Sequence, residues 1–326
     1  MNKPVIEVNH VSKRFRTLVK EPGFKGSLKS LFSPKYKEVS AVEDVSFQLK
    51  EGELIGFIGP NGAGKSTTIK MLTGILFPSS GKLNVLGYNP QTERIKLAYK
   101  IGVIFGQRQQ LWHHLPPIDT FNLFSKIYEL EEEAYQKRLN ELILLFEIRP
   151  YLYTPVRKLS LGERMRCEFV ASLLHRPKVL FLDEPTIGMD ILAKKSVREF
   201  IRKLNQHEKT TVILTSHDLD DIEELCPRVV IINKGKLIYD GTMSRIKNQL
   251  KYKVLELYFD KKVQTLPKIQ HTKIINQTPF NVKVEIDKTK VPIRKVLDVY
   301  LKKFKVVDIV IEDPPIEEII ERFYSK

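Results

Sequence analysis

Short apolar runs at residues 54–58, 179–182 and 211–214 stand out from an otherwise mixed chain. They are rich in Val, Ile, Leu and Phe and bounded by polar residues, the pattern of strands buried on both faces of a parallel sheet. A stretch of helical periodicity at 194–205 lies between the last two and predicts a βαβ crossover. Residues 5–8 and 45–49 also read as strands, the second alternating as Val45-Ser46-Phe47-Gln48-Leu49. A turn at Pro78-Ser79-Ser80-Gly81 leads into a short strand at 82–86. Residues 119–149 carry long helical periodicity through Leu139, Leu142, Ile143 and Phe146. Near residue 250 β-branched residues become more frequent, with strands expected at 253–259, 282–286 and 306–311 and helices at 293–304 and 316–324. The expected architecture is α/β over residues 1–248, followed by a small α+β domain of ferredoxin-like character over 249–326.

One stretch, residues 16–38, interrupts this pattern and contains Pro22-Gly23 and Pro34. Within it Phe24, Leu28, Leu31 and Phe32 fall at spacing i, i+4, i+7, i+8, a single stripe about 100° wide on a helix. Lys25 and Lys29 lie to one side, and Lys35 and Lys37 follow. The expectation is a short basic amphipathic helix, whose stripe meets an anionic bilayer surface, a groove on a partner or its own domain.

Charge sharpens the list of partners. The chain has 326 residues, 54 Lys+Arg against 39 Asp+Glu, and a formal charge of +15. The basic residues are spread out, with no block of five, so a nucleic-acid-binding tail is not expected while proximity to an anionic membrane is compatible. No run of about 18 apolar residues occurs, and the first residues lack the apolar core of a signal peptide. Two cysteines, Cys167 and Cys226, fit a reducing compartment rather than a disulfide framework.

The chemistry is carried by Gly59-Pro60-Asn61-Gly62-Ala63-Gly64-Lys65-Ser66-Thr67, set between a buried strand and a helix. That is the context of a phosphate-binding loop, whose glycines let backbone N–H groups close on an anion at the positive end of a helix. Lys65 is expected to reach the terminal phosphates of a nucleoside triphosphate and the Ser66 hydroxyl to ligate Mg²⁺. A second signal is Asp183-Glu184-Pro185 at the end of the run 179–182. Asp183 is suited to hold Mg²⁺, and Glu184 to orient or deprotonate the attacking water. A third is Leu159-Ser160-Leu161-Gly162-Glu163-Arg164, where a Ser and a Gly at a helix start can donate hydrogen bonds to an anion. Trp112, His113 and His114 resemble a metal cluster but lack a third spaced ligand, so they read as surface.

The order of these segments resembles the ATP-binding-cassette (ABC) ATPases over residues 5 to about 245. Ser160, Gly162 and Glu163 look like the signature, with Leu161 where the family usually has Gly. Asp190 in Ile187-Gly188-Met189-Asp190 looks like the D-loop, His217 like the switch histidine, and Gln107 like the Q-loop glutamine, with Gly106 as an extra residue. Phe15 matches the aromatic that stacks on adenine, with Tyr36 as the alternative. The resemblance implies a RecA-like core, an antiparallel β subdomain and an α-helical subdomain, with ATP and Mg²⁺ as cofactors. It also implies a sandwich of two subunits: phosphates held by Lys65, Ser66 and Gln107 on one are closed over by Ser160 and Gly162 of the other. A single phosphate loop calls for a second copy or a close relative, and transport calls for separate membrane permeases. Residues 105–112 and 159–166 resemble a sodium-efflux-like branch that energises ABC-2-type bacterial exporters, placing the chain on the cytoplasmic face of a membrane. The insert leaves polysaccharide or teichoic-acid export as an alternative, and a soluble ABC ATPase acting on ribosomes or DNA is disfavoured. Every expected catalytic residue precedes 218, so the tail is expected to serve pairing or regulation.

Overall fold

The computed structural model describes residues 3–18, 36–106, 109–216, 218–248, 251–313 and 316–324. Contacts divide the chain into two units, Met1–Gly241 and Thr242–Lys326. The division falls before residue 248, because the short helix Met243–Asn248 packs with the helix Ile316–Tyr324 of the second unit.

The first unit begins with β1 (Ile6–Leu18) and β2 (Tyr36–Leu49), then β3 (Leu54–Ile58), α1 (Lys65–Leu72), β4 (Ser80–Val85), α2 (Arg94–Ala98) and β5 (Ile101–Phe105). Next come α3 (Pro117–Ile127), α4 (Glu132–Phe146), α5 (Leu161–Leu173), β6 (Val179–Asp183), α6 (Ile191–Glu208) and β7 (Thr211–Thr215). It closes with α7 (Leu219–Leu225), β8 (Arg228–Asn233) and β9 (Lys236–Thr242). Two sheets result: an antiparallel one in the order β2-β1-β4, and a second in the order β5-β6-β7-β3-β8-β9 whose first five strands run parallel. The apolar runs are its central strands, and every residue of β3 and β7 is buried. Each such side chain withdrawn from water is worth about 1.5–3 kcal/mol, so the centre of the sheet is a rigid base for the loops at its carboxyl edge.

Several sequence expectations change. The strands expected at 5–8 and 45–49 are the inner ends of much longer β1 and β2, still paired at Arg16↔Glu38, Thr17↔Lys37 and Leu18↔Tyr36. The segment 16–38 therefore starts and ends inside a hairpin. The stripe of Phe24, Leu28, Leu31 and Phe32 with Lys25 and Lys29 lies outside the described residues. The periodic stretch 119–149 is two helices, α3 and α4, because the Glu131 side chain caps a new helix by accepting from the N–H groups of Glu133 and Ala134. Helices α1 and α5 start directly after Gly64 and Ser160.

The second unit adds α8 (Met243–Asn248), β10 (Tyr252–Phe259), β11 (Thr272–Thr278), β12 (Asn281–Asp287), α9 (Ile293–Lys303), β13 (Val306–Glu312) and α10 (Ile316–Tyr324). Its antiparallel sheet runs β11-β12-β10-β13, the strand order of a split β-α-β plan, with a core of Leu255, Leu257, Val282, Val284, Ile286, Val296 and Tyr300. Residues 260–271 form no helix where that plan has its first crossover helix. Strand β11 was not expected, because Thr272-Lys273-Ile274-Ile275-Asn276-Gln277-Thr278 is a largely exposed edge strand without apolar alternation. A fragment ending at Gly241 is expected to fold and to bind ATP. A fragment with native-like circular dichroism and no nucleotide binding in calorimetry would contradict that division.

Candidate nucleotide site

Strands β6, β7 and β3 are neighbours, so three sequence segments far apart in the chain leave the sheet side by side. The loop 59–64 follows β3, Asp183 and Glu184 end β6, and Thr215 ends β7. Gly64 immediately precedes α1 at φ 109°, and a Cβ there would lie 2.4 Å from the Ala41 carbonyl oxygen. Only glycine satisfies both the left-handed backbone and that approach. The other loop residues, Gly59, Pro60, Asn61, Gly62, Ala63, Ser66 and Thr67, occupy this turn and the first turn of α1.

Lys65 is only 5% exposed, and its Nζ donates to Gly59 O at 2.5 Å and to Pro60 O at 3.3 Å. Burial pushes its pKa below the usual lysine value, while the charges of Glu184 and Asp183 push it up. The structure thus places a desolvated cation between loop carbonyls and the acidic pair. An incoming polyphosphate gives that cation a stronger partner than neutral carbonyls do. The Asp183 carboxylate and the Ser66 hydroxyl offer hard oxygen donors of the kind Mg²⁺ takes.

The acidic pair is held from both sides. Thr215 Oγ1 donates to Asp183 Oδ1 at 2.6 Å, and the Glu184 N–H donates to Thr215 O and Oγ1, both at 3.1 Å. Glu184 has φ 57°, a left-handed conformation that costs a non-glycine residue about 1–3 kcal/mol. The bonds to Thr215 offset that strain. On the opposite side Gly106 N donates to Asp183 O at 2.8 Å, and a Cβ on Gly106 would lie 2.2 Å from Glu184 O. The extra residue before Gln107 is a glycine because the Glu184 backbone leaves no room for a side chain. Gln107 itself, and the switch residue His217, lie outside the described residues.

A second group forms at the starts of α5 and α6. Ser160 caps α5 in a reciprocal box: Glu163 N donates to Ser160 Oγ at 3.3 Å, and Ser160 N donates to Glu163 Oε2 at 2.8 Å. Asp190 caps α6, accepting from Ala193 N at 2.8 Å. A Cβ on Gly162 would meet Ala193 Cβ at 3.3 Å and one on Gly188 would meet Leu161 Cδ2 at 2.8 Å, so Leu161 packs over the segment 187–190. No hydrogen bond or ion pair among the described residues joins Ser160, Gly162 or Glu163 to residues 59–67. Phe15 sits on the hairpin opposite Val39, partly exposed, with Lys13 Nζ 5.2 Å above its ring centre. Tyr36 is also exposed on the same hairpin. His113 and His114 contact each other edge to face, and no group of three or more metal-ligating side chains occurs among the described residues.

Sequence reasoning missed Thr215 and Glu168, and singled out Gly106 without its role. Thr215 is legible in retrospect as the last residue of a buried strand. Glu168 gave no signal, because it lies in the middle of α5. It is 2% exposed and accepts from the N–H groups of Gln110 and Leu111 at 3.1–3.3 Å, tying α5 to the segment that follows residues 107–108. Burial raises its pKa from 4.5 to about 7, against the lowering effect of those two N–H groups and Arg164. A raised carboxyl pKa means that the folded state favours the proton. Glu168's contribution to stability is full below about pH 4.5 and is lost as pH rises through about 7. Wild-type protein should therefore lose on the order of 1–3 kcal/mol more stability than Glu168→Gln between about pH 5.5 and about pH 8. Equal pH slopes in denaturant melts would contradict this.

The sequence profile of the family described as ABC transporter matches residues 42–187. The chain is 33% identical over 215 residues to the ABC transporter ATP-binding protein NatA of Bacillus subtilis (strain 168), covering 66% of this chain and 87% of that protein. It is 35% identical to the linearmycin resistance ATP-binding protein LnrL of the same strain, covering 66% of this chain and 68% of that one. Among solved structures, a dimeric ATP-binding cassette in a post-hydrolysis state bound to ADP and Pi superposes with TM-score 0.61 at 21% identity, over 73% of this chain and 98% of that one, which supports the fold. With an anion loop, an acidic pair and a signature helix on this framework, the chain belongs to the ATP-hydrolysing, ATP-binding proteins of ABC transporters.

Proposed function

We propose that this chain is the ATPase subunit of an ABC-2-type exporter, working in pairs at the cytoplasmic face of a membrane on separate permease subunits. The observation that carries the pairing is the separation of the site into two groups. The charges of the acidic pair act on Lys65 of the phosphate loop, while among the described residues no hydrogen bond or ion pair joins the Ser160 group to the loop or to residues 65–67. A second copy or close relative, presenting Ser160 and Gly162, completes the anion site. Similarity to a protein named for resistance to linearmycin favours export over import. No helix among the described residues is long and apolar enough to cross a membrane, which fits a peripheral subunit.

Within this reading Lys65 leaves the Gly59 and Pro60 carbonyls for the terminal phosphates, and Phe15 offers a face to the adenine. Mg²⁺, when bound, would be held by Ser66, Asp183 and Gln107 and would neutralise phosphate charge. Glu184 takes the proton of the attacking water from a backbone fixed by Thr215 and Gly106. His217 is assigned the switch role. Glu184→Gln is expected to bind ATP with near wild-type affinity and to lower kcat by about a hundredfold or more, because it removes the base and spares the phosphate contacts. Lys65→Ala is expected to weaken binding itself. Near wild-type turnover by Glu184→Gln in the presence of the permease would sink the assignment.

The permease side of the proposal has a surface to match. A groove of about 980 Å³ lies between α2 and the end of α3, lined by Arg94, Ile95, Tyr99, Ile127 and Tyr128 among others. Its floor is rigid: Tyr99 meets Tyr128 edge to face, and Tyr128 stacks on His175 at 4.0 Å. Its rim is apolar and open, with Ile95 77% and Ile127 52% exposed; Arg94 stands beside it, and Lys96 is paired with Glu93 at 3.3 Å on the same rim. An amphipathic permease helix with an acidic end is the occupant this chemistry fits. Replacing Ile95 and Ile127 with Asp is expected to abolish permease-stimulated hydrolysis and leave ATP binding by the isolated subunit intact. Undiminished stimulation in reconstituted vesicles would remove this groove from the proposal.

A further inference from the structure

The exits of β6 and β7 converge on one carboxylate that the chemistry above does not use. Asp221, in α7, is 1% exposed. Thr186, two residues after Glu184, donates from Oγ1 to Asp221 Oδ2 at 2.5 Å. Ser216, directly after Thr215, donates from Oγ to the same oxygen at 3.3 Å. Arg198 of α6 stands 3.2 Å from the other oxygen, Oδ1. Removing a carboxylate from water is costly, and burial raises the Asp221 pKa accordingly. An apolar residue would pack in α7 without that penalty, so the carboxylate's use lies in what it joins.

What it joins is specific. Thr186 sits between the acidic pair and residues 187–190, the segment likened to the D-loop, whose Asp190 starts α6. Helix α6 is bonded to the start and end of α7 by further ion pairs: Lys194 to Asp218 at 2.5 Å, and Arg198 and Arg202 to Glu224. The segment 186–202 is thus tied to Ser216 and to residues 218–224, and among these acids Asp221 is the one buried to this degree.

We propose that Asp221 is a positioning residue for hydrolysis, fixing Glu184 at the exit of β6 against the exit of β7 by holding Thr186 and Ser216 on one carboxylate. Movement of residues 187–190 is passed through Thr186 to both strand exits together, so contact made by the D-loop segment bears on the geometry of the base. The inference rests on the reading of Glu184 as the base. It predicts a defect in the chemical step and not in nucleotide capture, since among the described residues no hydrogen bond or ion pair joins Lys65 or the loop 59–64 to this block.

Steady-state hydrolysis by the full-length chain, assayed where the wild type turns over, separates the outcomes. Asp221→Asn and Thr186→Val are expected to lower kcat about tenfold or more while KM for ATP stays within about twofold. Thr186→Ser, which keeps the hydroxyl, is expected to restore kcat. The double variant Thr186→Val with Asp221→Asn should be no slower than either single one, because both remove the same link. Should Asp221→Asn fail to fold, Thr186→Val decides, since it preserves shape and leaves the Arg198 pair in place. Glu184→Gln run alongside keeps the two readings apart. Full turnover there removes the base and this inference with it. A dead Glu184→Gln beside wild-type kcat in Thr186→Val overturns the role of Asp221 alone. Parallel changes in KM and kcat, with no rescue by Thr186→Ser, also overturn it.

Discussion

A buried lysine facing its own loop is the constraint on which the site depends. Lys65 is almost wholly withdrawn from water, and the two carbonyls that it contacts neutralise none of its charge. Among the described residues, the charges that compensate it are those of Asp183 and Glu184 on the neighbouring carboxyl edge. A polyphosphate brings negative charge to Lys65, but it also brings that charge towards two carboxylates. On the proposed reading, a divalent cation would relieve that repulsion, and the hard oxygens of Ser66 and Asp183 suit one.

Holding a carboxylate pair near a lysine would be of little use if the pair could relax onto it. The backbone of the pair is fixed. Glu184 is kept in a left-handed conformation by two bonds to Thr215, and Gly106 fills the space on the opposite side with backbone alone. On the proposed reading, this gives the general base a fixed backbone from which to meet the attacking water. The same close approach explains the glycine before Gln107: with β5 paired to β6 through Phe105↔Asp183, a Cβ at position 106 would meet the Glu184 carbonyl oxygen.

Helix starts divide the remaining labour. Ser160 and Asp190 each cap a helix through their own side chains, so neither is free merely to decorate a surface. Ser160 sits at the positive end of α5, in the position from which a helix start presents N–H groups to an anion. Among the described residues, no hydrogen bond joins Ser160 to residues 59–67 of its own chain. On the proposed pairing, this arrangement would make nucleotide binding and subunit pairing one event.

Much of this was legible in the sequence, and the reasons are local. Strands buried on both faces must be continuously apolar, so β3, β6 and β7 announced themselves as 54–58, 179–182 and 211–214. The loop 59–67 and the pair Asp183-Glu184 were readable because phosphate chemistry demands those residue types in that order, between a strand and a helix. Local pattern alone could not reveal what depends on partners distant in sequence. The hairpin extending to Leu18 and Tyr36, the edge strand 272–278 and the break between α3 and α4 follow from pairing and capping. Glu168 and Asp221 looked like ordinary charged positions on helices, and Thr215 like one more strand residue. Their roles were decided when the fold buried them against N–H and O–H groups from elsewhere in the chain, because a carboxylate removed from water must take its partners from whatever the tertiary structure brings within hydrogen-bonding distance.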